Sequence, residues 1–248
     1  MKITFKKNGA DIIENNWESL WKPKRQEHWK DGRSSKEFAK FAFKSIDSFH
    51  DLISKVLKSC GIEEQDFECE PEATSSLGTG FKSGGCRNHD LLMVGNKNCI
   101  IGIEAKVDES FDKELGEERK SQKKDEKDDN KTRADKLCEY FKVDIKNVNK
   151  IGYQLFTGTR GTINSAINNK KEKCIFLVIV FDGDIEFDND HLKRIEKNNE
   201  DFKCFCNAVD ASYKPFHDVK ENIDCWIKKV TVTITKDASE TSCYSFNL

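Results

Sequence analysis

Three charged residues stand close together in a stretch of the chain that is otherwise apolar: Asp90, Glu104 and Lys106. Asn88 to Val94 and Cys99 to Lys106 read as two strands, and Gly95-Asn96-Lys97-Asn98 between them supplies residues that tolerate a left-handed backbone. Antiparallel pairing centred on Lys97 sets Asp90 opposite Glu104. Side chains alternate along a strand, so Lys106 shares a face with Glu104. Burying such charges unpartnered costs several kcal/mol each, the order expected for isolated ions in a low-dielectric interior. A divalent cation between the two acids offsets that cost, and so does a salt bridge from Lys106 at a solvated strand end; spacing does not choose between them. Hard oxygen donors, with no His or Cys expected on that face, favour Mg2+ or Mn2+ over Zn2+.

Asp90 followed by Glu104-Ala105-Lys106 at the end of the next apolar strand resembles the active-site signature of the PD-(D/E)XK nuclease superfamily. More of the chain is similar to a bacterial family of uncharacterised PD-(D/E)XK nuclease-like proteins. The matching stretches are His28-Trp29-Lys30 with Gly32-Arg33-Ser34, Pro71-Glu72, Asn88 to Asp90, Glu104 to Phe111, Arg133 and Tyr153-Gln154-Leu155. They run in family order and span most of the chain. The resemblance implies an α/β (α+β) fold with a restriction-endonuclease-like αβββαβ core, a mixed central sheet flanked by helices. It also implies a metal-dependent phosphodiesterase, an endonuclease hydrolysing DNA in bacterial defence or nucleic-acid processing. Asp90, Glu104, the Ala105 carbonyl and Glu72 would then hold Mg2+ or Mn2+, and Lys106 would orient the water or neutralise developing charge. Glu70 shares a face with Glu72 by parity, so the choice of Glu72 comes from the resemblance alone. Gln154 matches a helix glutamine that points at the active site in related nucleases. No Tyr stands four residues after it, so the RecB-type Gln-x-x-x-Tyr pattern is not met.

Around these residues the elements follow from periodicity. Ile3 to Phe5 is a short strand within an N-terminal leader, residues 1–33, wrapped on the core. Ser34 or Ser35 caps a helix, with Glu37 completing a capping box from Ser34; Glu37 reaching a metal is the costlier reading. Phe38, Phe41, Ala42, Ile46, Phe49, Ile53, Val56 and Leu57 recur at helical spacing, and Gly61 ends the run. Asp66 to Ala73 is a strand that Pro71-Glu72 ends. Ser75 to Gly85 is a glycine-rich loop in which Lys82, with Arg87 just after it, is placed to contact a phosphodiester. Residues 108–149 form a charged insertion containing a helix over Thr132 to Phe141, with Leu137, Cys138 and Phe141 facing inward. Arg133 there is a phosphate contact or a surface ion pair. Ile151 to Asn168 is a helix started or interrupted near Gly158 and Gly161, and Cys174 to Phe181 a buried strand. The C-terminal part, residues 188–248, holds helices over His191 to Val209 and Pro215 to Ile227, then a half-exposed closing strand from Lys229 to Lys236.

Composition bounds the partners. At 248 residues, 36% hydrophobic and 35% charged, the sequence fits one sizeable domain. A net charge of −2 supplies no global basic field, so a nucleic-acid surface must be local. Met1 to Phe5 is too short for a signal peptide and no apolar span fits a membrane, which sets the expectation of a cytoplasmic protein. The 10 cysteines follow no disulfide framework. Cys204-x-Cys206 has too short a spacer for ordinary structural zinc, and two thiols on a helix is the simpler reading. DNA is favoured over RNA because nothing reads a 2′-hydroxyl. A homodimer and a defence-system partner protein are the other expected associations. The competing hypothesis is a catalytically silent nucleic-acid-binding or regulatory module on the same scaffold.

Overall fold

The computed structural model describes residues 1–23, 29–78, 80–81, 86–122, 130–184, 190–236 and 242–247. In chain order the elements are β1 (Ile3–Lys7), β2 (Ala10–Asp11), α1 (Trp17–Trp21), α2 (Ser34–Ala39), a π-helical turn (Lys40–Lys44), α3 (Ile46–Ser59), β3 (Phe67–Ser76), β4 (Cys86–Gly95) and β5 (Cys99–Lys106). Then follow α4 (Leu115–Ser121), α5 (Arg133–Phe141), α6 (Ile145–Val148), α7 (Tyr153–Asn168), β6 (Lys173–Gly183), α8 (His191–Ala208), β7 (Phe216–Asp218), β8 (Ile223–Lys236) and β9 (Ser242–Asn247).

These strands form one mixed sheet ordered β2-β1-β3-β4-β5-β6-β8-β7, with β9 also on β8. The β3-β4-β5 meander is antiparallel, whereas β5-β6 and β6-β8 are parallel. Helices cover both faces, giving a mixed α/β architecture. On one face α2 and α3 bury Phe38, Phe49, Leu52 and Ile53 against Met93, Ile101 and Ile175. On the other, α5, α7 and α8 bury Phe141, Phe156 and Phe205 against Ile100, Phe176 and Val178. β5 and β6 are buried along most of their length and largely apolar because helices sit on both sides of them. Along the chain α3 is followed by the β3-β4-β5 meander, then by α4, α5 and α6, and only then by α7 and β6.

Several expectations are corrected. The expected strand at Ile3 to Phe5 is present as β1, but it extends to Lys7, joins the central sheet parallel to β3 and pairs with β2, so this part of the leader belongs to the sheet. Ser34 does not cap α2; Arg33 occupies that position, and Glu37 accepts instead from the Gly32 N–H at 2.9 Å. Pro71 does not end β3, which continues to Ser76. β1 pairs only with Phe67 to Cys69, so beyond them the proline's missing N–H faces no ladder partner. Gly158 and Gly161 do not break α7; they let it press onto the sheet, since a Cβ on Gly158 would lie 2.5 Å from the Phe176 ring. Residues 108–149 are more than a charged insertion, because Leu115, Ala134, Leu137 and Phe141 join the core. Pro215 to Ile227 is not a helix but β7 and the start of β8, and β8 is an inner strand rather than the closing one. Lys82, His28 and most of the stretch from Gln122 to Asn130 lie outside the described residues.

Candidate active site

The hairpin of β4 and β5 pairs Leu91 with Ile103 and Val94 with Ile100, the register centred on Lys97. Asp90 stands one step beyond the last pair, and its Oδ2 accepts the Ala105 N–H at 2.6 Å. On the other side of β4, Pro71 pairs with Leu91 and Ala73 with His89, which leaves Glu72 opposite Asp90. Glu72 has a left-handed backbone, φ 53°, inside a strand. For a residue with a Cβ this costs about 1 kcal/mol or more, and such strain concentrates at functional sites. The kink shifts side-chain alternation. Beyond it Ser75, Arg87 and His89 face α7, whereas before it Leu92 and Val94 pack on that side.

Glu72, Asp90 and Glu104 therefore lie at one level on three neighbouring strands. They border a cavity of about 400 Å³ together with Lys7, Thr74, Arg87 and Gln154. Glu104 is 2% exposed, and both its oxygens are engaged. Arg87 Nη2 donates to Oε2, and Lys106 Nζ lies 3.0 Å from Oε1. Burial raises the Glu104 carboxyl, but Arg87 and Lys106 outweigh it and hold the group below its usual range. Asp90 goes the other way. Burial, then the neighbouring Glu104 and Glu72 carboxylates, push it well above the usual range against Lys106 and the Ala105 N–H. Burial is also the chief cause of the raised Glu72 value. Three carboxylates here face the three cations Lys7, Arg87 and Lys106, and two of the acids, Asp90 and Glu72, are pushed towards the protonated form.

The segment after β5 locks this end of the sheet. Glu109 accepts from the Val107 N–H at 2.8 Å and the Ser34 N–H at 3.2 Å, tying α2 to the strand end. Arg194 of α8 pairs with Asp108, and Asn198 donates to the Glu109 carbonyl at 2.9 Å. Lys106 lies 5.8 Å from the Phe111 ring centroid, which steadies it above Glu104.

Of the expected site residues, Glu72, Asp90, Arg87, Glu104 and Gln154 meet at this cavity, and Lys106 joins them through Glu104. Gln154 Oε1 is buried with no hydrogen-bond partner among the described residues. Arg133 is elsewhere, at the Tyr153 hydroxyl. Cys204 and Cys206 sit on α8, and all ten cysteines are free thiols. Sequence reasoning missed Lys7, whose β1 comes alongside only through tertiary pairing, and His89. His89 is fully buried, with neither ring nitrogen bonded among the described residues, against the bare faces of Gly102 and Gly161.

A divalent ion suits the donor set: hard carboxylate oxygens, a mutual repulsion that a cation would relieve, and an unbonded amide oxygen. The arrangement as it stands is not a ready cage. Among the described residues no three acidic, His or Cys side chains converge at ligating geometry. Arg87 occupies one oxygen of Glu104 and Lys106 the other.

The family model described as "Domain of unknown function (DUF6946)" matches residues 13–236. No curated protein and no solved structure matches the chain significantly. No helix among the described residues is long and apolar enough to cross a membrane. The chain belongs to the DUF6946 family.

Proposed function

We propose that this DUF6946 member is a metal-dependent phosphodiesterase, an endonuclease acting on DNA in the cytoplasm with Mg2+ or Mn2+. The observation that carries the reading is the row of Glu72, Asp90 and Glu104 across three adjacent strands, with Lys106 on Glu104, at one cavity. Glu72, Asp90, Glu104 and the Ala105 carbonyl are the groups to hold the ion, which when bound would polarise a phosphoryl oxygen and lower the pKa of water. Lys106 fixes the Glu104 carboxylate and sets a positive charge beside the reacting phosphate. Gln154, with its unbonded Oε1, is an acceptor for a water hydrogen. Arg87, on leaving Glu104, becomes the donor to the phosphate, a role its planar fork suits.

The competing reading is a silent binding module in which Arg87 neutralises Glu104 permanently. It is favoured by the engagement of both Glu104 oxygens. A cleavage panel of DNA and RNA substrates with Mg2+ or Mn2+ separates the two. Wild type is expected to cut DNA, and Asp90→Asn, Glu104→Gln and Lys106→Met to lose cutting while keeping native circular dichroism. The amide is preferred to Glu104→Ala, which would leave the buried Lys106 and the part-buried Arg87 without their acceptor, a loss of about 3–5 kcal/mol for breaking a buried pair. Equal cutting by all four proteins rejects the assignment, cutting of RNA alone corrects the substrate, and cutting of nothing favours the module.

A further inference from the structure

Six residues beyond Gln154, α7 carries Arg160, roughly 9 Å along the helix and about 240° around it. Arg160 is 5% exposed. Its guanidinium carbon lies 4.1 Å from the Tyr140 ring centroid, and Nη1 is 3.9 Å from Asp218 Oδ2, too long for a hydrogen bond. Neither Nε nor Nη1 has a hydrogen-bond partner among the described residues. Asp218 is satisfied without it. Oδ2 accepts from the Tyr140 hydroxyl, and Oδ1 accepts the Lys220 and Glu221 N–H groups at 3.1 and 3.2 Å. Both oxygens of the buried acid are thus hydrogen-bonded, whereas two of the three guanidinium nitrogens of the buried cation are not.

Arg160, Tyr140 and Asp218 wall a cavity of about 410 Å³ that Lys142, Lys220 and Phe216 also line. Of its other charged groups, His217 pairs with Asp224 at 2.8 Å, and Glu221 lies 3.9 Å from Lys220, again too long for a hydrogen bond, so the Lys220 ammonium is held only loosely. We propose that this cavity is a phosphate-binding site, taking the phosphoryl group of a phosphate ester or free phosphate. The three cations come from separate places: α7, the residue capping α5, and the turn between β7 and β8. Donors converging from three elements suit a tetrahedral oxyanion better than a planar carboxylate. The ligand's oxygens supply the acceptors that Arg160 lacks, and the Phe216 ring gives an apolar flank.

The site is independent of the metal reading, so its test is run with EDTA present. Isothermal titration compares inorganic phosphate, acetate, a 5′-phosphorylated dinucleotide and its 5′-hydroxyl counterpart on wild type, Arg160→Met and Lys220→Gln. Lys220 is exposed, so the second variant keeps the test meaningful if the first misfolds. Phosphate is expected to bind wild type over acetate, and both variants to weaken it by roughly tenfold. Tighter binding of the phosphorylated dinucleotide than of free phosphate identifies a nucleotide end as the source; equal binding identifies free phosphate. No phosphate binding to wild type, or the same affinity in folded variants, overturns the proposal.

Discussion

Arg87 and Lys106 each hold one oxygen of a nearly inaccessible Glu104. On the proposed reading an incoming divalent ion would compete with that guanidinium for Oε2, and the ion pair would lower metal affinity in the free protein. Arg87→Met is expected to bind Mn2+ more tightly than wild type by roughly tenfold and to bind DNA more weakly. Calorimetry with each ligand alone checks both signs; unchanged Mn2+ affinity would show that Arg87 does not stand in the ion's place. His89, beside it, makes a separate prediction for the metal-free protein. Burial, then the Arg87 charge, lower its pKa from 6.5 to about 3 against the pull of Glu104. The unfolded chain therefore takes up a proton that the fold excludes as pH falls below 6.5, and stability present above that value is lost towards 3. Urea unfolding in EDTA from about pH 7 to about pH 4.5 should fall more steeply for wild type than for His89→Leu, by up to about 1.4 kcal/mol per pH unit. Parallel curves would place the pH sensitivity elsewhere.

Among the elements, β3 shows what the site costs the scaffold. Its ladder with β4 is interrupted at Glu72, whose left-handed backbone accompanies a carboxylate that reaches the cavity. Glu72→Gly should raise thermal stability by about 1 kcal/mol through relief of that backbone, while weakening Mn2+ binding. A loss of stability would mean that the Glu72 side chain, not its backbone, supports the strand. α7 meets the opposite constraint, since its glycines let it approach the sheet. Gly158→Ala drives a methyl into the Phe176 ring and should cost about 1–3 kcal/mol in chemical denaturation.

Across the whole molecule, legibility in the sequence followed the range of the interaction. The β4-β5 hairpin could be read because its turn centre and side-chain alternation are local, and Asp90 and Glu104 came out at the expected level. The course of β3 past Pro71 could not, because proline's cost depends on whether a partner strand lies alongside, and β1 stops short. In the second part of Pro215 to Ile227 the strand is written locally, since Ile223, Cys225 and Ile227 alternate with Asp224 and Trp226, a period-two signal that outranks the helical one. The Glu104–Arg87 pairing and the arrival of Lys7 are tertiary facts with no local trace. Everything proposed for the cavity depends on whether its acids take up a divalent cation. Isothermal titration of Mn2+ into wild type, Asp90→Asn and Glu104→Gln measures that directly. Saturable binding to wild type, weakened by at least roughly tenfold in both variants, is the predicted result; no binding to wild type, or the same affinity in all three, would contradict it.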